Sequence, residues 1–367
     1  MPEKIYFRSD LIELISHYKS LRKSFAEKAR VIQKENCANG IYIRGLIEVS
    51  SFCRCNCLYC GIRKDNTDTE RYRLSDEEIL SRCEYGYTKG FRTFVLQGGE
   101  DLVFSDIRVA EIITHIKSRF PDCAVTLSLG ERDEKTYRLW KDSGADRYLL
   151  RHEARDPKLF SLLHPSEQKL ETRLHALETL KSLGYQTGSG FMVGAPYQTI
   201  EKLADDILYL QNLKPEMIGI GPFIPHNKTP FASYQNDFEK RTDENSPNKN
   251  SSEEITSCTL TSSLDRAELT CFLISLLRII FPHALIPATT ALNTLSQTGR
   301  KDGILSGANV IMPNLSPLET RAKYDLYEGK SNHTLETAEE LERLENEMNK
   351  IGYKILFNER GDFKNKY

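Results

Sequence analysis

Short apolar runs alternate with amphipathic stretches along most of the 367 residues, and this alternation limits the fold more than any other feature of the chain. The runs are 41–49, 91–96, 124–129, 147–152, 186–193, 217–224, 284–291 and 309–312. Stretches with apolar residues at helical spacing separate them, among others at 76–89, 106–120, 170–183 and 200–213. Gly90, Gly144 and Gly184 stand where helix C-caps are expected. Eight strands, each paired with a following helix, predict a closed parallel (βα)8 barrel of the TIM type, in class α/β. An open doubly wound sheet is the alternative that pattern alone leaves open.

The ends and one internal segment fall outside this rhythm. Residues 8–36 read as helical, so 1–38 is expected to be an N-terminal helical extension to a barrel spanning 39–330. Residues 334–350 read as an amphipathic helix, with Thr337 and Glu340 at capping-box spacing and Leu341, Leu344 and Met348 as a narrow apolar stripe. A C-terminal helical extension over 331–367 follows from that. Residues 233–263 are polar and nearly free of large apolar groups, too few to offset the entropy of ordering them. They predict a mobile insertion between the sixth strand and its helix, with no binding role.

Fifty Lys and Arg against 52 Asp and Glu give a net charge of 50 − 52 = −2. Such a balance argues against a protein built to grip nucleic acid or an anionic membrane. The most apolar stretch, 269–286, is interrupted by Arg278, Pro282 and His283, short of the ~20 apolar residues a membrane span needs. The first 15 residues include Glu3, Asp10 and Glu13 and no long apolar core, which fits neither a secretory signal nor a transit peptide. The expected compartment is the cytoplasm.

Four of the nine cysteines crowd into residues 53–60, directly after the first strand and therefore at the functional face of a parallel barrel. A disulfide framework needs spread cysteines in a small secreted chain; a crowded run points to metal or cluster ligation. Cys53, Cys57 and Cys60 have the spacing C-x3-C-x2-C. Three thiolates from one loop can hold three irons of a 4Fe–4S cubane and leave the fourth open to a small molecule. A structural zinc site usually needs four ligands, and no second C-x2-C or H-x3-H pair exists. Cys55 lies too close to its neighbours to join the set easily and reads as a bystander. Further along, Thr126 and Ser128 alternate on the third strand, and Arg151 and Glu153 alternate at the end of the fourth. Each pair therefore shares one face. An interior arginine and glutamate are costly unless they pair or bind a polar ligand; their place at a strand's C-terminal end favours a ligand.

The cysteine spacing, with Tyr59 before the last cysteine, resembles the motif of the radical S-adenosylmethionine (SAM) superfamily. The resemblance implies that the amino and carboxylate groups of SAM bind the open iron. An electron from the cluster then splits the C5′–S bond to methionine and a 5′-deoxyadenosyl radical, inside a closed barrel. Gly98-Gly99-Glu100 at the end of the second strand resembles the superfamily's GGE element, which contacts the methionine amino group. Arg173, in the helix after the fourth strand, is a candidate partner of the SAM carboxylate.

Other segments narrow the resemblance to the radical SAM maturases of FeFe-hydrogenase, the HydE family within the biotin synthase-like group. They are CLYCGIRKDN at 57–66, RYR at 71–73, VTLSLGE at 125–131 and ADRYLLRHE at 145–153. The others are MVG at 192–194, GIGPFIPH at 219–226, IPATT at 286–290 and GANVIMPN at 307–314. The similarity runs from about residue 41 to 330. It implies SAM contacts at Tyr59, Gly98, Gly99, Glu100, Thr126, Ser128, Glu153 and Arg173, and a substrate site at Arg151, Thr289, Thr290 and Tyr327. It also implies assembly of the hydrogenase H-cluster, by radical action on the sulfur of a cysteine-derived, iron-bound substrate delivered by a partner maturase. A low-potential electron donor of ferredoxin or flavodoxin type and other maturation proteins complete the implied partners. Some members carry a second cluster on three cysteines near the C-terminus; here the last cysteine is Cys271, so one 4Fe–4S cluster is expected. Within the same barrel type, a methylornithine synthase-like mutase is the nearest alternative. A biotin synthase-like sulfur inserter would need interior cysteines, and only Cys123 lies near a strand. A non-enzymatic iron–sulfur or zinc protein is the distant alternative.

Overall fold

The computed structural model describes residues 5–232, 263–330 and 340–364. In chain order the elements are α1 (Arg8–Ser16), α2 (Tyr18–Cys37), β1 (Gly40–Ile43), β2 (Gly45–Ser50), α3 (Asp76–Thr88), β3 (Thr93–Gly98), α4 (Asp106–Arg119) and β4 (Ala124–Ser128). Then come α5 (Glu134–Asp142), β5 (Arg147–Leu149), α6 (Pro157–Leu163), α7 (Leu170–Ser182), β6 (Gln186–Ser189), β7 (Met192–Val193), α8 (Ile200–Leu213), β8 (Met217–Ile218) and β9 (Gly221–Pro222). The last are α9 (Ser263–Ile280), α10 (Thr290–Leu295), α11 (Gly299–Leu305), β10 (Val310–Ile311), α12 (Leu318–Arg321), α13 (Leu341–Lys350) and β11 (Lys354–Leu356).

The helices start where the sequence offers an oxygen to an orphan amide. Ser75, Ser105, Asp133, Asp156 and Thr199 each accept the N3 amide of α3, α4, α5, α6 and α8, and Glu78 completes a capping box with Ser75. Gly90, Gly144 and Gly184 all have left-handed φ, at 86°, 109° and 76°, as expected of residues that end helices.

Strands β2, β3, β4, β5, β6 and β8 pair in that order, all parallel. Hydrogen bonds carry the ring onward: Ile218 N–H to Leu285 O, Asn309 N–H to Ile286 O, Tyr42 N–H to Asn309 O and Leu46 N–H to Pro313 O, at 2.9–3.0 Å. Backbone pairing thus returns to the first strand and closes the barrel. Several expected runs are subdivided. Residues 41–49 break at Arg44 into β1, which pairs with β10 and β11, and β2, which pairs with β3. The runs 186–193 and 217–224 each split into two short strands, and 284–291 joins the ring only through single bridges at Leu285 and Pro287.

The N-terminal extension is two helices broken at His17; α2 packs on α9 and α1 on α8. The C-terminal extension is not helical throughout. After α13, whose Leu341, Leu344 and Met348 are buried as expected, β11 adds a strand to β1. The polar insertion up to residue 262, and Thr337 of the expected capping box, lie outside the described residues. Among the described residues no helix is long and apolar enough to cross a membrane.

Candidate active site

A cavity of about 560 Å³ occupies the C-terminal end of the barrel. Cys53, Cys55, Cys57 and Cys60 line it, and so do Arg151, Thr289, Thr290 and Tyr327. The size suits a small-molecule site.

The loop after β2 that carries the cysteines has little regular structure, so side chains hold it. Ser51 exchanges hydrogen bonds with Tyr72, and the Arg71 guanidinium donates to the carbonyls of Ser51, Ile62, Arg63 and Asn66. One arginine therefore braces both ends of the cysteine segment. The Glu100 amide donates to Cys53 Sγ at 3.3 Å. That approach depends on Gly99, where a Cβ would lie 2.2 Å from Phe52 O and 2.7 Å from Cys53 Cβ.

Without metal, burial opposes ionisation of these thiols. It pushes Cys60 up to about 12, with the Cys53 charge adding to the effect, and raises Cys57 for the same reason with Cys60 as neighbour. Cys53 goes the other way, to about 7, because a hydrogen bond from Cys55 and the Glu100 amide outweigh its burial. Ligation requires thiolates, and a bound metal group would supply positive charge that favours them. Among the described residues no three His, Cys, Asp or Glu side chains converge as ligands of a single ion would. A cubane takes one iron per thiolate, and Cys53, Cys57 and Cys60 all line the one cavity.

Above the cysteines, Gly98, Gly99, Glu100, Ser128, Glu153, Arg173 and Tyr59 also line the cavity. Thr126 does not. It is buried a layer deeper on β4, with its hydroxyl unbonded, so sharing a face with Ser128 does not bring it to the cavity. The Glu100 carboxylate is occupied by the Glu131 amide at 2.9 Å and Arg54 at 3.0 Å, which locks the end of β3 to the end of β4. Arg173 is ion-paired to Glu131 and donates to the Arg151 carbonyl at 2.7 Å. Tyr59 rests edge-on against His164, whose imidazole burial holds neutral at a pKa of about 3, with the Arg173 charge assisting.

Arg151 Nη2 and Glu153 Oε2 lie 2.9 Å apart, yet without hydrogen-bond alignment. Arg151 Nε and Nη2, Glu153 Oε2 and Thr289 Oγ1 are all buried and unbonded. Buried polar groups normally have partners, so these atoms are placed for a polar ligand in the cavity they line. Glu153 has a left-handed φ of 65°, rare for a non-glycine residue and of a kind found at functional sites. The donor set, the glycine-lined approach and the unbonded polar atoms together fit a cluster held by Cys53, Cys57 and Cys60 with SAM beside it.

Sequence reasoning missed the opposite wall. Glu48 on β2 is fully buried and accepts from Lys330 Nζ at 2.7 Å and Asn314 Nδ2 at 2.9 Å. Glu48, Asn314, Lys330, Gln97 and Gln168 all line the cavity. A glutamate inside the apolar run 41–49 was the available signal.

The radical SAM superfamily profile matches residues 47–210. The chain is 44% identical to the [FeFe] hydrogenase maturase subunit HydE of Thermotoga maritima over 299 residues, 82% of this chain and 77% of that protein. It is 26% identical to the 3-methylornithine synthase of Methanosarcina acetivorans, over 81% of this chain and 77% of that one. Among solved structures, methylornithine synthase (PylB) superposes with a TM-score of 0.75 at 23% identity, covering 96% of this chain and 94% of the other. The maturase HydG from Carboxydothermus hydrogenoformans superposes at 0.70 and 18%, covering 95% and 80%. These two share the fold. The 44% identity over most of the chain, on a barrel whose cavity joins three cysteines to unbonded polar side chains, places this chain in the HydE family of hydrogenase maturases, within the radical SAM superfamily.

Proposed function

We propose that this enzyme acts in FeFe-hydrogenase H-cluster assembly, on a small sulfur-containing substrate derived from cysteine and bound to iron. One observation carries the reading: a single cavity runs from the thiols of Cys53, Cys57 and Cys60 to Arg151, Thr289, Thr290 and Tyr327. The chemistry supplied by a bound 4Fe–4S cluster and SAM is one-electron cleavage of the C5′–S bond to methionine and a 5′-deoxyadenosyl radical. The chain's own part is binding, orientation and exclusion of water. Gly98 and Gly99 let backbone approach the methionine moiety, while Glu153, Ser128, Arg173 and Tyr59 surround it. The Arg151 guanidinium and the Thr289 and Thr290 hydroxyls offer donors to a carboxylate. Apolar Leu149, Met192, Ile224 and Met312 line the same cavity and keep water from the reacting atoms. A single cluster per chain, delivery of substrate by a partner maturase, a ferredoxin- or flavodoxin-type electron donor and a cytoplasmic site complete the proposal.

Reconstituted anaerobically and reduced with dithionite, the protein is expected to form deoxyadenosine from SAM. Cys57→Ser is expected to abolish this, whereas Cys55→Ser still forms product; equal loss from both would show that the ligands are wrongly assigned. Iron counts and EPR indicating two clusters would refute the single-cluster reading. Unimpaired hydrogenase maturation after deletion of the gene would overturn the biological role.

A further inference from the structure

Gln168 and Cys55 stand beside the cysteine ligands with no role in the chemistry above. Gln168, between α6 and α7, sets its side-chain amide between two sulfurs: Oε1 accepts from the Cys57 thiol at 3.2 Å, and Nε2 donates to Cys55 Sγ at 3.5 Å. Cys53 accepts from the Glu100 amide, and Cys60 accepts from the backbone at Ile62. Backbone donors therefore serve Cys53 and Cys60, while the hydrogen-bond partner of Cys57 is the Gln168 amide.

The protonation state of Cys57 decides which end of that amide faces it. A thiol donates, so it meets Oε1. A ligating thiolate only accepts, so the amide must present its N–H₂ group, which a half-turn about the last side-chain bond achieves within the same cradle. Hydrogen bonds to cluster thiolates stabilise the reduced state, which carries the extra negative charge, and so raise the potential. We propose that Gln168 is a positioning residue that sets the reduction potential of the cluster through an N–H bond to Cys57, and that the Cys55 thiol, donating to Oε1 at the other end of the amide, holds it in that orientation. This rests on Cys53, Cys57 and Cys60 being the ligands. Cys55 is then the partner that orients this amide, neither a fourth ligand nor a bystander.

The test is an anaerobic, EPR-monitored redox titration of the reconstituted full-length chain, with iron content and EPR line shape measured alongside. Gln168→Leu is expected to move the midpoint potential to more negative values with iron retained. The near-isosteric Gln168→Glu should move it further, because a carboxylate replaces a donor with negative charge. Cys55→Ala should give a smaller negative shift, since it loosens the amide but leaves the Gln168 donor in place. Unchanged midpoints in both Gln168 variants with the cluster intact would overturn the proposal. Loss of iron from Cys55→Ala would overturn it too, by making Cys55 a ligand, and loss of the cluster from all three variants would replace tuning with a purely structural role. Failure of the underlying ligand assignment looks different: Cys53→Ser would then keep its full iron content.

Discussion

Arg151 and Glu153 face each other at 2.9 Å, yet leave buried donor and acceptor atoms without hydrogen bonds that a polar ligand would complete. In the proposed site Arg151 meets the substrate carboxylate. Arg151→Gln keeps polarity and much of the volume but removes the charge and the two-pronged donor geometry. Turnover of the iron-bound substrate is expected to fall by about 100-fold, more steeply than SAM cleavage without substrate, because only the former needs the carboxylate anchored. Side-by-side assays of maturation and deoxyadenosine formation check this. Equal losses in the two would move Arg151 from the substrate to SAM. Arg173 is a different kind of arginine. It is bonded to Glu131 and to the Arg151 carbonyl, and its own placement is thereby fixed before any ligand arrives.

Among the elements, the turn after β3 has little freedom. Gly99 brings β3 against the cysteine loop, and the next residue supplies both the amide to Cys53 and the carboxylate that ties β3 to β4. Gly99→Ala would place a methyl carbon 2.2 Å from Phe52 O, against backbone that cannot step aside. Cluster retention and SAM affinity are expected to fall by at least about tenfold; iron content and the SAM-induced change in the EPR spectrum of the reduced cluster are the readouts. This turn was legible in the sequence because it is built from a local string, Gly98-Gly99-Glu100, following a strand. Helix starts were equally legible, as Ser75 and Ser105 illustrate, since capping is decided within four residues. What escaped sequence reasoning depends on distant partners. Residues 284–291 read as a strand yet pair only at isolated bridges. Thr126 has the right periodicity for the cavity but the wrong depth. The Glu48–Lys330 pair joins residues 282 positions apart. Cys55 and Gln168 are likewise linked only by the fold.

Across the whole molecule, the barrel has a reactive mouth and a sealed floor, and the seal comes from the end of the chain. β11 docks beside β1, and the residues after it cross the N-terminal end of the barrel, where Arg147 is completely buried. Its guanidinium donates to Thr93 Oγ1 at 2.9 Å, to the Arg360 carbonyl at 2.9 Å and to Asp362 at 2.6 Å, while Arg360 reaches Asp146 at 2.7 Å. Asp362 is thus the carboxylate that neutralises a buried arginine from β5. Burial alone would raise its pKa, but Arg147 and Arg360 outweigh that and hold it below the ordinary 3.8. A carboxyl with a depressed folded pKa contributes stability that is fully present above its unfolded pKa and lost as pH falls through the folded value. Asp362→Asn is therefore expected to destabilise the cluster-free protein by about 2 kcal/mol at pH 7, between the costs for exposed and fully buried pairs. The difference from wild type should hold down to about pH 5, shrink below about pH 4, and vanish once Asp362 is protonated in the folded protein. Urea unfolding of both proteins across that range measures it; carboxylates common to the two cancel in the difference. A gap that stayed constant into acid would mean that Asp362 holds the floor by shape and neutral hydrogen bonds, and that the buried Arg147 charge is balanced elsewhere.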